Sequence, residues 1–246
     1  MFKKADVVLL DIIRKSVTKS QRKRWSKAAP GWESGGATGL TQVIEELLFC
    51  VNSLFESMEE IHAIDLGSGS GQLTLPLARV CKKVYAVDIS PAMLERLTDL
   101  ANNENLGNIE PIVSSIEELN FKPNSVDLIV SNYALHHLLD ADKKALLTRA
   151  YNWLKPGGWF VLGDMMFGRG LNARDLQIIK GKVRTFAKRG VAGWFRIVKN
   201  IPRFIFRFQE RPVPIEKWTS YFTQAGFSDL SYKEVIAEAV VMWAKK

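Results

Sequence analysis

The chain has 246 residues, 47% of them hydrophobic, which is enough to bury one large core. Its two cysteines, Cys50 and Cys81, are too few for a disulfide framework and lack metal-ligand spacing, which favours a cytoplasmic setting. The first apolar run contains Asp6 and Asp11 and no cleavage site, which argues against a signal peptide. No apolar stretch approaches the roughly 18 residues of a membrane-spanning helix.

The net charge of +8 is unevenly distributed along the chain. Residues 1–30 hold nine Lys or Arg and two Asp, and residues 168–211 hold twelve Lys or Arg against one Asp and one Glu. These segments carry +7 and +10, so the remainder carries −9. The pattern indicates an acidic body with two basic attachments, an asymmetry that concerns the partner more than the fold.

Between residues 61 and 167, short apolar runs alternate with longer amphipathic ones, which is typical of a parallel α/β sheet. Strands are predicted at 61–67, 83–89, 109–115, 126–134 and 159–167, with helices at 72–80, from 91 onward, and at 142–154. Ser90 and Pro91 favour a helix start as N-cap and first helical residue. The pattern predicts a Rossmann-like, doubly wound sheet.

The C-terminal part adds a helix near 215–225, a turn at Gly226 and two strand-like runs at 230–237 and 239–245. Two consecutive strands at the end of the chain predict an antiparallel hairpin at the sheet edge, completing seven strands. We predict one domain over 1–246. Its parts are an N-terminal helical arm (1–60), a Rossmann-like cofactor-binding core (61–167), a basic helical lid insertion after strand 5 (168–212), and a final helix and hairpin (213–246).

A glycine-rich loop follows the first predicted strand, where residues 65–71 read Asp-Leu-Gly-Ser-Gly-Ser-Gly. A glycine pattern alone is weak evidence for a binding site, but its place between a strand and a helix strengthens that evidence. Glycine permits a tight turn and close approach of a ligand, and free N–H groups at the next helix start favour an anionic group such as a carboxylate. Taken alone, the loop is weak evidence for a cofactor site, because a merely tight turn would show the same pattern.

Asp88 strengthens this interpretation, because it ends the second predicted strand about 20 residues after the loop. Adjacent parallel strands would place its carboxylate to accept hydrogen bonds from both ribose hydroxyls of a nucleoside. A dinucleotide fingerprint would have a third glycine where this chain has Gln72, and Gly71 makes the pattern GxGxG instead. A nucleoside cofactor other than NAD is therefore favoured.

Four segments resemble class I S-adenosylmethionine-dependent methyltransferases, particularly the broad small-molecule group that includes the ubiquinone/menaquinone-type enzymes. They are AIDLGSGSGQLTLPLA (63–78), AVDISPAML (86–94), FKPNSVDLIVSNYALHHL (121–138) and LKPGGWFVLGD (154–164). The resemblance implies S-adenosylmethionine as cofactor and S-adenosylhomocysteine as product. It is specific for the superfamily and not for the substrate.

The resemblance also implies roles for single positions. The cofactor-binding candidates are Asp65, Gly67, Gly69, Gly71, Asp88, Ile89, Ser115, Ile116 and Asn132. The loop would hold the methionine half with Asp65 orienting its amino group, while Asp88 would bind the ribose and Ile89 would cover the adenine. Many relatives have an acidic residue where this chain has Ser115, so adenine contact would rest on Ser115 and the Ile116 backbone. The backbone of Asn132 would contact the methionine end of the cofactor.

Tyr133, His136 and His137 are the catalytic candidates, because they follow the fourth strand at the edge where ligands of such folds bind. Methyl transfer depends mainly on alignment and exclusion of water, so a base is optional. A histidine could take the proton of a hydroxyl acceptor. Alternatively, the histidines cap or pack a helix and the tyrosine forms a pocket wall. No metal site is predicted.

Missing motifs narrow the acceptor. Residues 131–134 lack the Asn/Asp-Pro-Pro-Tyr pattern of nucleobase and glutamine amino-group methylation. Neither cysteine is placed for cytosine C5 chemistry, and arsenic methylation would need several thiols. These exclusions favour a small-molecule O-, N- or C-acceptor, with an anionic or lipid-like molecule as one option. An RNA methyltransferase, a noncatalytic cofactor-binding protein and an NAD-linked reductase stay open.

The basic insertion has apolar residues at helical spacing. They are Leu176, Ile179, Val183 and Phe186, then Trp194, Ile197, Ile201, Phe204 and Phe208. We favour a helical lid whose aromatic face closes over the substrate pocket. Peripheral contact with an anionic membrane is the next alternative, and nucleic-acid binding is less favoured. The basic segment around Trp25 could contribute to any of these, and residues 32–41 are expected to fold over the cofactor.

Overall fold

A seven-stranded sheet organises the part of the chain that the computed structural model describes, namely residues 16, 18–29, 38–168, 173–187, 190, 195 and 210–246. Its strands are β1 (His62–Leu66), β2 (Lys83–Asp88), β3 (Ile109–Val113), β4 (Val126–Asn132), β5 (Leu154–Met165), β6 (Ser228–Ile236) and β7 (Ala239–Lys245). The strand order is β3-β2-β1-β4-β5-β7-β6, with β1 to β5 parallel and β7 antiparallel to both neighbours. The predicted fold class is confirmed.

Helices cover both faces of the sheet because its central strands are apolar on both sides. They are α1 (residues 18–28), α2 (Thr38–Leu54), α3 (Thr74–Ala78), α4 (Pro91–Asn103), α5 (Asp140–Trp153), α6 (Ala173–Ala187) and α7 (Ile215–Ala225). In β4, Leu128 and Val130 belong to the core on the α2 and α3 side, whereas Ile129 belongs to the core formed with α5 and α7. The sheet is therefore the middle of three layers.

Local sequence signals set several boundaries. The Ser90 side chain accepts a hydrogen bond from Met93 N at 3.3 Å, and Pro91 begins α4, as the sequence predicts. Helix α7 ends at Gly226, whose φ of +102° lies in the left-handed region that glycine adopts readily. Within the described residues, no helix is both long and apolar enough to span a bilayer.

Helix α3 is shorter than its predicted span of 72–80. Pro76 is its third residue and has no N–H to donate, which confines the proline to the first turn of a helix. The chain then leaves the helix through a turn in which the Cys81 amide donates to Leu77 O at 2.8 Å. Strand β5, in turn, begins five residues before the predicted position, because Leu154 already pairs with Val126.

Helix α6 differs from the prediction in the face that it buries. The expected apolar stripe includes Leu176 and Val183, yet these side chains are 45% and 40% exposed. The buried residues include Asp175 and Ile178, and the Asp175 carboxylate accepts the Gly168 amide hydrogen at 2.8 Å. The predicted helix around Trp194 to Phe208 lies outside the described residues apart from Phe195, so the lid over the pocket stays a prediction.

The site is positioned by the carboxyl ends of β1, β2 and β4. Leu66, at the end of β1, is in register with Val87 of β2 on one side and Ser131 of β4 on the other. The chain progresses outward from β1 in opposite directions through β2 and β4, which makes this the switch point of a doubly wound sheet. Loops that leave these strands border a crevice where such folds bind ligands.

Candidate functional site

A cavity of about 540 Å³ lies at this edge of the sheet. Its volume falls in the range of small-molecule sites, roughly 300–1,000 Å³. Most of the candidates line it: Asp65, Gly67, Gly69, Asp88, Ile89, Ser115, Ile116, Asn132, Tyr133, His136 and His137. Gly71 does not line it. A Cβ at Gly71 would lie 2.3 Å from Leu97 Cδ1, so this glycine makes room for helix α4.

The glycine loop is fixed to the neighbouring strand by its backbone. The amides of Gly67 and Ser68 both donate to Val87 O, at 2.8 and 3.0 Å. Gly67 and Gly69 have φ values of +80° and +53°, in the left-handed region where side chains cost energy. A Cβ at Gly69 would meet no atom within 4 Å, so the backbone there borders open space. A ligand can approach it closely.

Asp65 is a fully buried carboxylate at the floor of the cavity. Its Oδ2 accepts a hydrogen bond from the Thr74 hydroxyl at 2.6 Å. Burial raises the pKa of Asp65 to about 7, the Thr74 hydrogen bond lowers it, and the nearby Asp88 charge raises it further. A cationic ligand group beside Asp65 would favour its ionised form.

Asp88 ends β2 with both carboxylate oxygens in use. Its Oδ2 accepts from Gly69 N at 2.9 Å, and its Oδ1 accepts from Ser90 N at 2.8 Å. Burial raises the pKa of Asp88, and these backbone hydrogen bonds oppose the rise. A carboxylate has about four lone-pair positions, so the backbone hydrogen bonds from Gly69, Ser90 and Ile89 leave at least one for a hydroxyl donor of a ligand. The carboxylate thus connects the glycine loop to the ribose-binding position implied by the sequence.

Three buried polar atoms beside the cavity have no hydrogen-bond partner within the part of the chain that the structure describes. They are Ser68 Oγ, Ser70 Oγ and Asn132 Oδ1, and all three residues line the cavity. Leaving such groups buried and unpaired costs free energy, roughly 1–3 kcal/mol each. A ligand with an amino-acid end, which supplies both donors and acceptors, would satisfy them. The cavity therefore fits the methionine half of S-adenosylmethionine.

His136 forms a buried pair with Asp164, a residue that the sequence reasoning did not single out. His136 Nδ1 lies 2.6 Å from Asp164 Oδ1, and the backbone amide of His136 donates to Asp164 Oδ2 at 2.9 Å. An ionised carboxylate only accepts, so Nδ1 donates its hydrogen to Asp164 in this pair, and in the neutral form of the ring Nε2 is then the acceptor nitrogen. The sequence feature that could have identified Asp164 is its position near the carboxyl end of β5. This geometry suits a proton acceptor whose ring is held in place.

The other two catalytic candidates adjoin this pair. The ring centres of His136 and His137 are 4.0 Å apart, and those of Tyr133 and His136 are 6.2 Å apart. Tyr133 has a φ of +50°, and its amide donates to Gly163 O at 2.8 Å. Burial, followed by the charges of Glu238 and Asp164, raises the pKa of Tyr133 well above its ordinary value. Its hydroxyl therefore stays protonated at neutral pH.

Helix α1 contacts both halves of the cavity. Arg22 Nε donates to Ile89 O at 3.0 Å, and Ser26 Oγ lies 3.0 Å from Ser90 Oγ. At the other half, the Trp25 ring centre lies 5.5 Å from that of His137. Sequence reasoning had noted the basic residues around Trp25 but not these contacts. Leu40 also lines the cavity, whereas residues 32–37, also expected over the cofactor, lie outside the described residues.

Arg211 and Lys143, which the sequence reasoning missed, donate hydrogen bonds to the turn Leu135–His137 and the residue after it. We call Leu135–His137 the histidine turn. The Arg211 amide donates to His136 O at 2.6 Å, and its guanidinium donates to His137 O at 3.3 Å. The buried Lys143 ammonium donates to Leu138 O at 3.0 Å and Arg211 O at 2.7 Å. Burial lowers the pKa of Lys143 to about 8. These contacts join the segment after the insertion to the turn that carries the histidines.

Comparison with known proteins agrees with this geometry. Residues 64–162, from β1 to β5, match the family described as a methyltransferase domain. Residues 64–162 therefore form a methyltransferase domain. The sequence-based assignment to the S-adenosylmethionine-dependent methyltransferases is confirmed at the level of this domain.

Relatives of the methyltransferase domain differ in length and name. The chain is 32% identical over 119 residues to phosphoethanolamine N-methyltransferase 1 of Zea mays, which covers 48% of this chain but 23% of the maize protein. It is 28% identical over 185 residues to an uncharacterized methyltransferase of Geobacillus kaustophilus, covering 74% of this chain and 76% of the relative. The chain thus spans less than a quarter of the maize relative.

A solved structure extends the similarity to nearly the whole fold. The SAM–HEP complex of DhpI superposes with a TM-score of 0.66 at 14% identity, covering 93% of this chain and 97% of DhpI. This similarity supports the fold. Because the identity is low, the comparison does not identify the acceptor of this chain.

Proposed function

We propose that the chain binds S-adenosylmethionine in this cavity and transfers its methyl group to a small-molecule acceptor. The observation that supports the proposal is that one cavity is lined by two groups of residues. The glycine loop with Asp65 and Asp88 forms one group, and His136, which is paired with Asp164, belongs to the other. The cofactor supplies an electrophilic methyl group bound to a sulfonium sulfur.

The residues toward the cofactor divide the binding between them. Asp88 would accept the ribose hydroxyls, while Ser68, Ser70 and Asn132 offer unpaired polar atoms to the methionine end. Ile89, Ser115 and Ile116 would surround the adenine, as the resemblance implies. Asp65 would carry its negative charge toward the amino group of the methionine half, which would offset the cost of burying that charge.

On the acceptor side of the cavity, one residue would accept a proton and another would hold that residue in position. Asp164 fixes the His136 ring so that Nε2 can take a proton from the acceptor. Helix α1, through the contact of Trp25 with His137, would limit the access of water to this part of the cavity, which would favour in-line displacement. Tyr133 contributes a neutral hydroxyl and an aromatic surface.

Replacing Asp88 by alanine tests the cofactor part of the proposal. The change removes the ribose acceptor and one anchor of the glycine loop, so we expect S-adenosylhomocysteine to bind roughly 100-fold more weakly. Isothermal titration of the purified chain measures this. Asp99→Ala, at an exposed position of α4, is the matched control and should bind as the unchanged chain does. Equal affinities for Asp88→Ala and the control would refute the assignment.

Replacing His136 by glutamine tests the acceptor part. We expect roughly a 100-fold fall in the rate of labelled methyl transfer into a small-molecule extract, with S-adenosylhomocysteine affinity within about 2-fold. Asp164→Asn should produce a smaller fall and move the pH profile, because the ring loses the carboxylate that fixes its tautomer. A His136→Gln variant of full activity would remove this residue from the mechanism.

The acceptor itself is a separate proposal. The basic segments suggested an anionic or lipid-like molecule and contact with an anionic membrane, but most of the insertion lies outside the described residues. Both ideas stay predictions, as does a cytoplasmic location. Flotation with phosphatidylserine vesicles, compared with neutral vesicles, measures the membrane contact, and equal recovery from both would exclude it.

A further inference from the structure

Three consecutive carbonyl groups, at the histidine turn and just after it, accept hydrogen bonds from two cationic residues. His136 O and His137 O accept from the amide and the guanidinium of Arg211. Leu138 O accepts from the Lys143 ammonium. A turn of three residues has few hydrogen bonds of its own, so these donors fix where its carbonyl groups lie.

The Lys143 ammonium uses all of its donors inside the protein. Its hydrogen bonds go to Leu138 O, to Arg211 O and, at 3.2 Å, to Asp140 Oδ1. An ammonium has three N–H donors, so these acceptors satisfy it completely. The side chain is 0% exposed, and a buried cation is costly unless it is paired and hydrogen-bonded. Because two of its acceptors are backbone carbonyls of distant segments, the ammonium fixes how those segments lie against each other.

Charges of both signs surround Lys143. Burial is the largest effect on its pKa, which it lowers to about 8, while the charges of Asp140 and Asp164 favour the ammonium. The positive charge of Arg211 opposes it. Asp140 also accepts a hydrogen bond from Lys217 of α7. Near neutral pH the Lys143 ammonium is therefore the predominant form, and it interacts with the carboxylate that pairs with the catalytic histidine candidate.

We propose that Lys143 is a positioning residue for methyl transfer, because its ammonium links the segment after the insertion to the histidine turn and so holds His136 toward the acceptor. This inference rests on the proposed function and adds a residue that acts through His136. Asp164 fixes the ring of this histidine, and Lys143 fixes the backbone that carries it. Lys143 itself is buried outside the lining of the cavity, so its effect on the acceptor passes through the turn.

A double-mutant cycle tests whether Lys143 acts through His136. Lys143→Met keeps an unbranched stem and removes the ammonium. We expect labelled methyl transfer into a small-molecule extract to fall roughly 20-fold, with S-adenosylhomocysteine affinity within about 2-fold. In the His136→Gln background, the same change should lower the rate by less than about 2-fold, because the positioned group is already absent. A merely structural role would lower the rate by the same factor in both backgrounds.

Lys144→Met is the matched control, because Lys144 is the next residue of α5 and is exposed. Its rate of methyl transfer should equal that of the unchanged chain. Urea unfolding shows which variants are folded, and Lys143→Gln, which keeps two N–H donors, replaces Lys143→Met in the cycle if the latter does not fold. Full activity of the folded Lys143 variant, or equal falls in the two backgrounds, would overturn the inference.

Histidine ring signals test the positioning without an acceptor. The chain has three histidines, so NMR signals of their rings can be assigned with the help of His136→Gln. Lys143→Met should shift the His136 signals and leave those of His62, which begins β1 at the end away from the site, unchanged. Lys144→Met should shift neither. Unchanged His136 signals in Lys143→Met would refute the inference, whereas a lack of methyl transfer by the unchanged chain would refute the proposed function, so the two failures are distinguishable.

Discussion

Gly67→Ala is expected to lower the free energy of unfolding by about 2–5 kcal/mol, from backbone strain and overpacking together. Gly67 has a φ of +80°, and a Cβ there would lie 2.3 Å from Ala134 Cβ. Ala134 directly precedes the turn that carries His136 and His137. The added methyl group would therefore displace the turn that carries the histidines as well as strain the loop. Urea unfolding measures the loss.

Gly69→Ala is the matched control, since it places the same side chain in the same loop. Gly69 has a φ of +53° but a Cβ there meets nothing within 4 Å, so only backbone strain remains, about 1 kcal/mol. The difference between the two variants isolates the collision with Ala134. Equal losses would show that strain alone decides, and that the loop does not press on the histidine turn.

The buried Asp65 is expected to make the free protein less stable as the pH rises from about 4 to about 7. Below pH 4 its carboxyl is protonated in both states. As the pH rises, the unfolded chain loses this proton first, because the folded-state pKa is raised to about 7. The stability that depends on Asp65 is therefore lost across this interval and stays lost at higher pH, by up to about 4 kcal/mol.

Asp65→Asn removes this titration while keeping an oxygen for the Thr74 hydroxyl. We expect the free energy of unfolding of the variant, relative to the unchanged chain, to increase between pH 4 and pH 7 and to be positive at pH 8. Asp99→Asn, at an exposed site, should show a nearly constant difference. Urea unfolding in a pH series measures both, and a flat difference for Asp65→Asn would contradict the raised pKa.

Local signals were sufficient for much of the fold and for the cofactor half of the site. Strand alternation, the Ser90 cap, Pro91 and the turn at Gly226 each act within a few residues, so the sequence carries them directly. The spacing between the glycine loop and Asp88 equally predicted their proximity, and the structure joins them through the 2.9 Å hydrogen bond from Gly69 N.

Contacts between distant segments could not be read in this way. Asp164 lies 28 residues from His136, and Gln21 donates to a carbonyl 116 residues away, at His137. Which face a helix buries also depends on its neighbour rather than on its own periodicity. In α6, Asp175 is buried and accepts a hydrogen bond from Gly168 N, whereas Leu176 and Val183 of the predicted apolar stripe are exposed.

Helix α1 links access to the two halves of the cavity. It contacts Ile89 and Ser90 at one half and His137 at the other. A substitution that weakens the packing of this helix would therefore change how easily small molecules enter and leave both halves at the same time.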